Sequence, residues 1–133
     1  MQLVVPDALF EAIENRRDDL VALTQDLIRI PTLNPPGANY REICDYLDAR
    51  LSRSGFKTEL IRAIGTPGDS DQYPRWNIVA RHQGARTGDC VHFNSHHDVV
   101  ETGNGWTFDP FAATLQDGRI YGRGTCDMKG GLA

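Results

Sequence analysis

"DCVHFNSHHDVV", residues 89–100, decides how the rest of the chain is read. Its apolar and β-branched residues predict a buried strand, the third and most buried of the chain. Upstream, "FKTELIRA" (56–63) alternates in polarity, and "RWNIVARH" (75–82) is a short apolar run rich in strand formers. The stretch between them, "IGTPGDSDQYP", is polar and turn-rich and predicts a surface loop. Downstream, "ATLQDGRIYG" (113–122) sets Asp117-Gly118 between two short strand-like runs, a strong hairpin signal.

Two amphipathic helices precede these strands and are expected to cover the sheet. Asp7 can cap a helix running to about Ile30, with Phe10, Ile13, Leu20, Leu23 and Leu27 near one face. "IPTLNPPG" (30–37) ends it, because Pro31 cannot continue a helix and a proline pair follows. Asn39 with Glu42 three residues on has the form of a capping box for the second helix. Ile43, Leu47 and Leu51 repeat every four residues, and Gly55 stands where a helix stop is wanted. Helices interleaved with strands predict an α/β fold.

The bulk numbers narrow the function classes. The chain has 133 residues, enough for one domain with a real core. Fourteen Lys and Arg stand against 18 Asp and Glu, a formal charge of −4, which offers no footprint for nucleic acid or an anionic membrane. Cys44, Cys90 and Cys126 are three and widely spaced, so a disulfide framework is not expected. "MQLVVPDALFEAIENRR" has no basic n-region and its apolar run breaks at Pro6, unlike a signal peptide. The expected partner is a small molecule or a protein, in a reduced, cytoplasmic setting.

Side chains alternate along a strand, so His96 and Asp98 would emerge together at its carboxyl edge, where open α/β sheets bind ligands. A metal-bound imidazole commonly gives its other N–H to a carboxylate, and an H-x-D step can supply both groups. Alone, the pattern is more often a polar strand end than a metal site. His97 points to the opposite face and reads as structural or solvent-facing. His82 and His92 have no partner pattern.

"GRGTCDMKGG" (122–131) is the second informative stretch. It fails as a phosphate loop, because Met128 precedes Lys129 and Gly130 follows it. It fails as a dinucleotide fingerprint, because Asp127 holds the third glycine position. The third reading is a tight turn, with Gly122 and Gly124 in conformations other residues avoid and Asp127 aimed into a pocket; taken alone, the stretch could equally be a structural glycine loop before a helix. A carboxylate so placed can bridge two divalent ions about 3.5–4 Å apart. Cys126 could ligate a soft metal but reads better as a small buried cysteine. Lys129 reads as a surface or turn-stabilising cation rather than a base.

Taken in order, "SHHDVV", "GWTFDPF" and "DGRIYGRGTCDMKGG" closely resemble the N-terminal signature of a co-catalytic zinc hydrolase family. That family includes acetylornithine deacetylase, succinyl-diaminopimelate desuccinylase, aminoacylase and carboxypeptidase G. "IPTLNPPG" looks like its loop after the first helix. The resemblance covers essentially the whole chain. It implies that His96 is a metal ligand, that Asp127 bridges two zinc ions, and that Asp98 is the catalytic carboxylate that orients His96. Trp106, Phe108 and Phe111 are then a packing motif. Ser95, where the family often has glycine, is a small departure.

The same resemblance places the general-base glutamate, further ligands and dimerisation domain downstream of Ala133. Residues 1–133 are accordingly expected to be the N-terminal portion of a zinc-peptidase-like catalytic domain, inactive alone and prone to self-association. The complete protein is expected to be a homodimer that hydrolyses the amide of an N-acyl amino acid or peptide, with zinc, cobalt or manganese. The rivals are an aminopeptidase-type zinc hydrolase and a non-catalytic binding module that keeps the front half of the fold.

Overall fold

The computed structural model describes residues 6–85 and 88–133. The apolar start before Pro6, read above against a signal peptide, lies outside the described residues. The elements are α1 (Asp7–Glu14), α2 (Arg17–Arg29), α3 (Tyr40–Arg53), β1 (Lys57–Arg62), β2 (Trp76–Arg81), β3 (Thr114–Gln116) and β4 (Arg119–Tyr121). A kinked turn, Thr125–Lys129, whose backbone is non-helical at Asp127 and Met128, and the short α4, Gly130–Leu132, complete them. The fold is mixed α/β, as the sequence predicts. No helix among the described residues is long and apolar enough to cross a membrane.

The core lies where α2, α3 and the β1–β2 hairpin meet. Leu23, Leu27 and Ile30 from the second helix and its end pack on Ile43, Cys44 and Leu47 of α3. Leu60, Trp76 and Ile78 of the hairpin close it from the other side. Leu27 and Ile43 are wholly buried, each worth about 2 kcal/mol of removed apolar surface. The hairpin pairs antiparallel, with Lys57 opposite Arg81 and Arg62 opposite Trp76. Asp117 and Gly118 take φ of 52° and 72°, the two left-handed residues a tight turn between β3 and β4 needs.

Helix α3 ends as its sequence predicts. Gly55 has φ of 83°, its N–H reaches the Ser52 carbonyl, and the Phe56 N–H reaches that of Leu51. That pair of reversed bonds satisfies carbonyls the helix leaves open.

Four expectations need correction. The first helix is not continuous: the chain turns at Asn15 and Arg16, and no α1 residue is buried, so Phe10 and Ile13 stay exposed. Asp7 is the first helical residue and caps nothing; Pro6 stands at the cap position. The capping box at Asn39 does not form, because Asn39 is left-handed and its amide donates instead to the Pro31 carbonyl (3.0 Å). Most importantly, residues 89–98 are not a strand. Val91 is 75% and Phe93 88% exposed, and the one pairing in this stretch is a parallel bridge between Leu33 and Val99. Strand propensity gives a chain the disposition to pair, but a ladder needs a neighbour at the right distance.

Candidate metal centre

The loop that ends α2 is what holds the histidine segment in place. Thr32, wholly buried, donates its hydroxyl to the His97 carbonyl, and its own carbonyl accepts from the Val99 N–H (2.9 Å). The Asn34 N–H returns to the Val99 carbonyl (2.8 Å). These bonds clamp residues 97–99 against residues 32–34 and fix where His96 and Asp98 project. They meet despite the missing strand: His96 Nδ1 lies 3.0 Å from Asp98 Oδ1. Two residues of extended chain put alternate side chains on one side whether or not a ladder forms.

The glycine turn brings Asp127 to the same place. Asp127 Oδ1 sits 2.9 Å from His96 Nε2, so one imidazole faces a carboxylate at each nitrogen. Gly124 makes the turn possible, with φ of 86° and its Cα packed so tightly that a Cβ would lie 2.5 Å from Val99 Cγ1. Gly122 has an ordinary φ, contrary to expectation, and its reason is space: a Cβ there would lie 2.8 Å from Ile28 Cγ2. Gly124→Ala should therefore destabilise the protein by about 3 kcal/mol, combining left-handed strain with overpacking. Gly118→Ala, with a similar φ but open space, should lose only about 1 kcal/mol. Equal urea-unfolding losses for the two would show that the close approach to Val99 carries no energy.

Electrostatics follow from the geometry. Burial alone would lower the His96 pKa, but its hydrogen bonds to Asp127 and Asp98 and their charges outweigh that and raise it. Burial would raise Asp98, yet Asn34, Tyr40 and His96 together hold its carboxyl below the usual range. Asn34 Nδ2 donates to Asp98 Oδ2 (2.8 Å) and the Tyr40 hydroxyl donates to the same oxygen (3.1 Å). Burial, then the Asp98 charge, pushes Tyr40 up to about 12, so it remains a donor. His97 turns away, as read from the sequence: its Nε2–H meets the Trp76 carbonyl (3.2 Å) and its ring stands edge-on to Tyr40. Burial pushes its pKa down, which keeps it neutral and structural.

Three side chains sit differently from their sequence reading. Cys126 is exposed rather than buried; the buried thiol is Cys44, which burial pushes up to about 11. Lys129 is not on the surface. It is wholly buried, and Nζ donates to the carbonyls of Leu27 (2.8 Å) and Ile30 (2.6 Å) at the end of α2. Trp106 packs only partly: its indole N–H reaches the Thr102 carbonyl (2.7 Å) and Arg123 lies over its ring, yet the residue remains 38% exposed. Phe108, by contrast, packs on Tyr121. Asn34 and Tyr40 were missed altogether, because contacts to a residue 64 or 58 positions away leave no local signal.

The residues present fit a divalent cation in kind and orientation and fall short of it in number. An imidazole nitrogen and a carboxylate oxygen face each other, the other nitrogen is held by a second carboxylate, and the Asp127 side chain is 87% exposed toward a cleft. Among the described residues, no three or more His, Cys, Asp and Glu are placed so that they could together hold a metal ion, so this arrangement is not a closed site.

The model of peptidase family M20/M25/M40 matches residues 92–133, which span both halves of this arrangement. Succinyl-diaminopimelate desuccinylase 2 of Ruegeria sp. (strain TM1040) is 39% identical over 117 residues, covering 86% of this chain and 27% of its own length. The succinyl-diaminopimelate desuccinylase of Methylobacterium radiotolerans is 40% identical over 117 residues, covering 87% of this chain and 28% of its own. That of Rhodospirillum rubrum is 38% identical over 116 residues, with 86% and 27% covered. The chain thus spans little more than a quarter of the length of the relatives it matches.

Proposed function

Because the chain belongs to peptidase family M20/M25/M40, we propose that it builds one side of the metal centre of an amide-bond hydrolase acting on N-acyl amino acids. The observation that carries this is the single imidazole held between two carboxylates, His96 between Asp98 and Asp127. His96 Nε2 and the Asp127 carboxylate would hold two divalent ions, zinc or in its place cobalt or manganese, with Asp127 between them. Such ions, when bound, lower the pKa of a water and polarise a carbonyl.

The chain's own part is to present and orient. Asp98 accepts the Nδ1–H of His96 and so leaves Nε2 as the ligating atom. The clamp between residues 32–34 and 97–99 holds both in register with the Asp127 turn. Residues 1–133 correspond in this reading to the N-terminal portion of the catalytic domain. The remaining ligands, the general base and the specificity contacts come from parts of the active protein outside them. In this reading that protein is a cytoplasmic homodimer.

The substrate class is best tested on the full-length protein with a panel of N-succinyl-diaminopimelate, N-acetylornithine and unblocked dipeptides. Hydrolysis of one N-acyl substrate, lost on chelation and restored by zinc, cobalt or manganese, is the expected result. Cleavage of unblocked dipeptides alone would replace this reading by an aminopeptidase. A full-length protein that binds none of the three metals would leave a non-catalytic module.

A further inference from the structure

The Asp98 carboxylate is held by more than its histidine, and the chain of contacts behind it starts far from the cleft. Arg75, in the turn before β2, lies between two glycines. A Cβ at Gly37 would come within 2.4 Å of its Nη1, and one at Gly68 within 2.4 Å of its Nη2. Its Nε–H donates to the Gly68 carbonyl (3.1 Å), its backbone N–H to Asp69 Oδ1 (2.9 Å), and its guanidinium lies over the Tyr40 ring. The guanidinium then gives an N–H to Asn34 Oδ1 (3.0 Å). A guanidinium only donates, so this bond settles which way the Asn34 amide points. Its NH2 group must face Asp98 Oδ2, where it lies at 2.8 Å.

We propose that Asn34, locked by Arg75 and assisted by Tyr40, is a positioning residue that holds the Asp98 carboxylate so that Oδ1 meets His96 Nδ1 and His96 Nε2 is turned toward the metal position. The inference rests on the metal-centre reading above and goes beyond it by assigning three residues from the loop after α2, the start of α3 and the turn before β2. Without the two donors, Oδ2 would be free to rotate and compete for the imidazole. The clamp of Thr32 on residues 97–99 would still fix the backbone, so the predicted defect is one of side-chain orientation.

The test uses the full-length protein and zinc itself as the probe. Zinc affinity is measured by competition with a chromophoric chelator, and the His96 Nδ1–H is followed as a slowly exchanging imidazole resonance in the metal-free protein. Asn34→Ala should weaken zinc binding about tenfold or more, as loss of a group supporting a metal ligand generally does, and should broaden or remove the Nδ1–H resonance. Tyr40→Phe keeps the ring against His97 and removes one donor, so it should shift both readouts less, in the same direction. An Asn34→Ala protein that folds with unchanged zinc affinity and an unchanged resonance overturns the proposal. Should Asn34→Ala fail to fold, Tyr40→Phe decides it by the same two readouts. Absence of zinc binding in the wild type would defeat the functional reading, and the Nδ1–H resonance alone would then decide the positioning role.

Discussion

Asp127→Asn in the full-length protein is expected to lower kcat by about three orders of magnitude and to reduce the bound metal below two ions per active site. Asparagine keeps the shape of the side chain and one oxygen but loses the charge and one of the two donor atoms. Metal ions contribute several kcal/mol of charge stabilisation to such reactions, and each 1.4 kcal/mol is tenfold in rate. The fold should not notice the change. Asp127 is 87% exposed and its pairing with His96 is a surface interaction, worth at most about 1 kcal/mol to stability. Metal content, kcat and unfolding temperature measured on one preparation separate these effects. Full activity with both metals retained would remove Asp127 from the bridging role, and a large fall in unfolding temperature would mean that its part is structural.

Lys129→Met is expected to have the opposite profile, a large loss of stability. The lysine is wholly buried and its ammonium group closes the end of α2 through the Leu27 and Ile30 carbonyls. A cation at a helix C-terminus also meets the negative end of the helix dipole. Methionine fills a similar volume, so the variant isolates the hydrogen bonds from the packing. Two buried carbonyls left without donors should lower stability by about 3 kcal/mol, measured by urea unfolding. A loss below about 1 kcal/mol would show that water replaces the amine.

The same residue predicts a pH signature. Burial lowers its pKa from 10.5 to about 8, with the Asp98 charge opposing. Between about pH 8 and 10.5 the unfolded chain therefore binds the proton that the folded one has released. Stability relative to the methionine variant should rise across that window and be flat below pH 8. The neutral amine still has two N–H groups, enough for both carbonyls, which is why the folded state tolerates the loss of the proton. A stability difference that falls as pH rises through this window would mean that the ammonium form is needed.

Much of the molecule was legible because its determinants are short-range. The Gly55 stop, the Asp117-Gly118 turn and the apolar faces of α3 and the β1–β2 hairpin each depend on residues within a few positions of one another. The His96–Asp98 contact belongs with them, since an i, i+2 spacing in extended chain places both side chains on one side. The break at Asn15 and Arg16 was not legible: the apolar period runs on through it, and only α2 finds a core to bury against. The segment from Cys90 to Ser95 was misread for the converse reason, having the composition of a strand without a paired neighbour among the described residues.

Asp127 lies between these cases. Its chemistry is visible in the glycine turn, but its meeting with His96 spans 31 positions and was reached only through the resemblance to a family. The sequence by itself thus determined those local elements whose signals are short-range, the mixed α/β class and the kinds of ligand atom at the site. Only the tertiary structure decided that Asn34 and Tyr40 hold Asp98, that two glycines seat Arg75, and that Lys129 is a buried clasp on α2. Backbone conformation and side-chain alternation are governed by neighbours a few bonds away. A hydrogen bond across 60 to 100 residues exists only once packing has brought its partners together, and no local pattern encodes that distance.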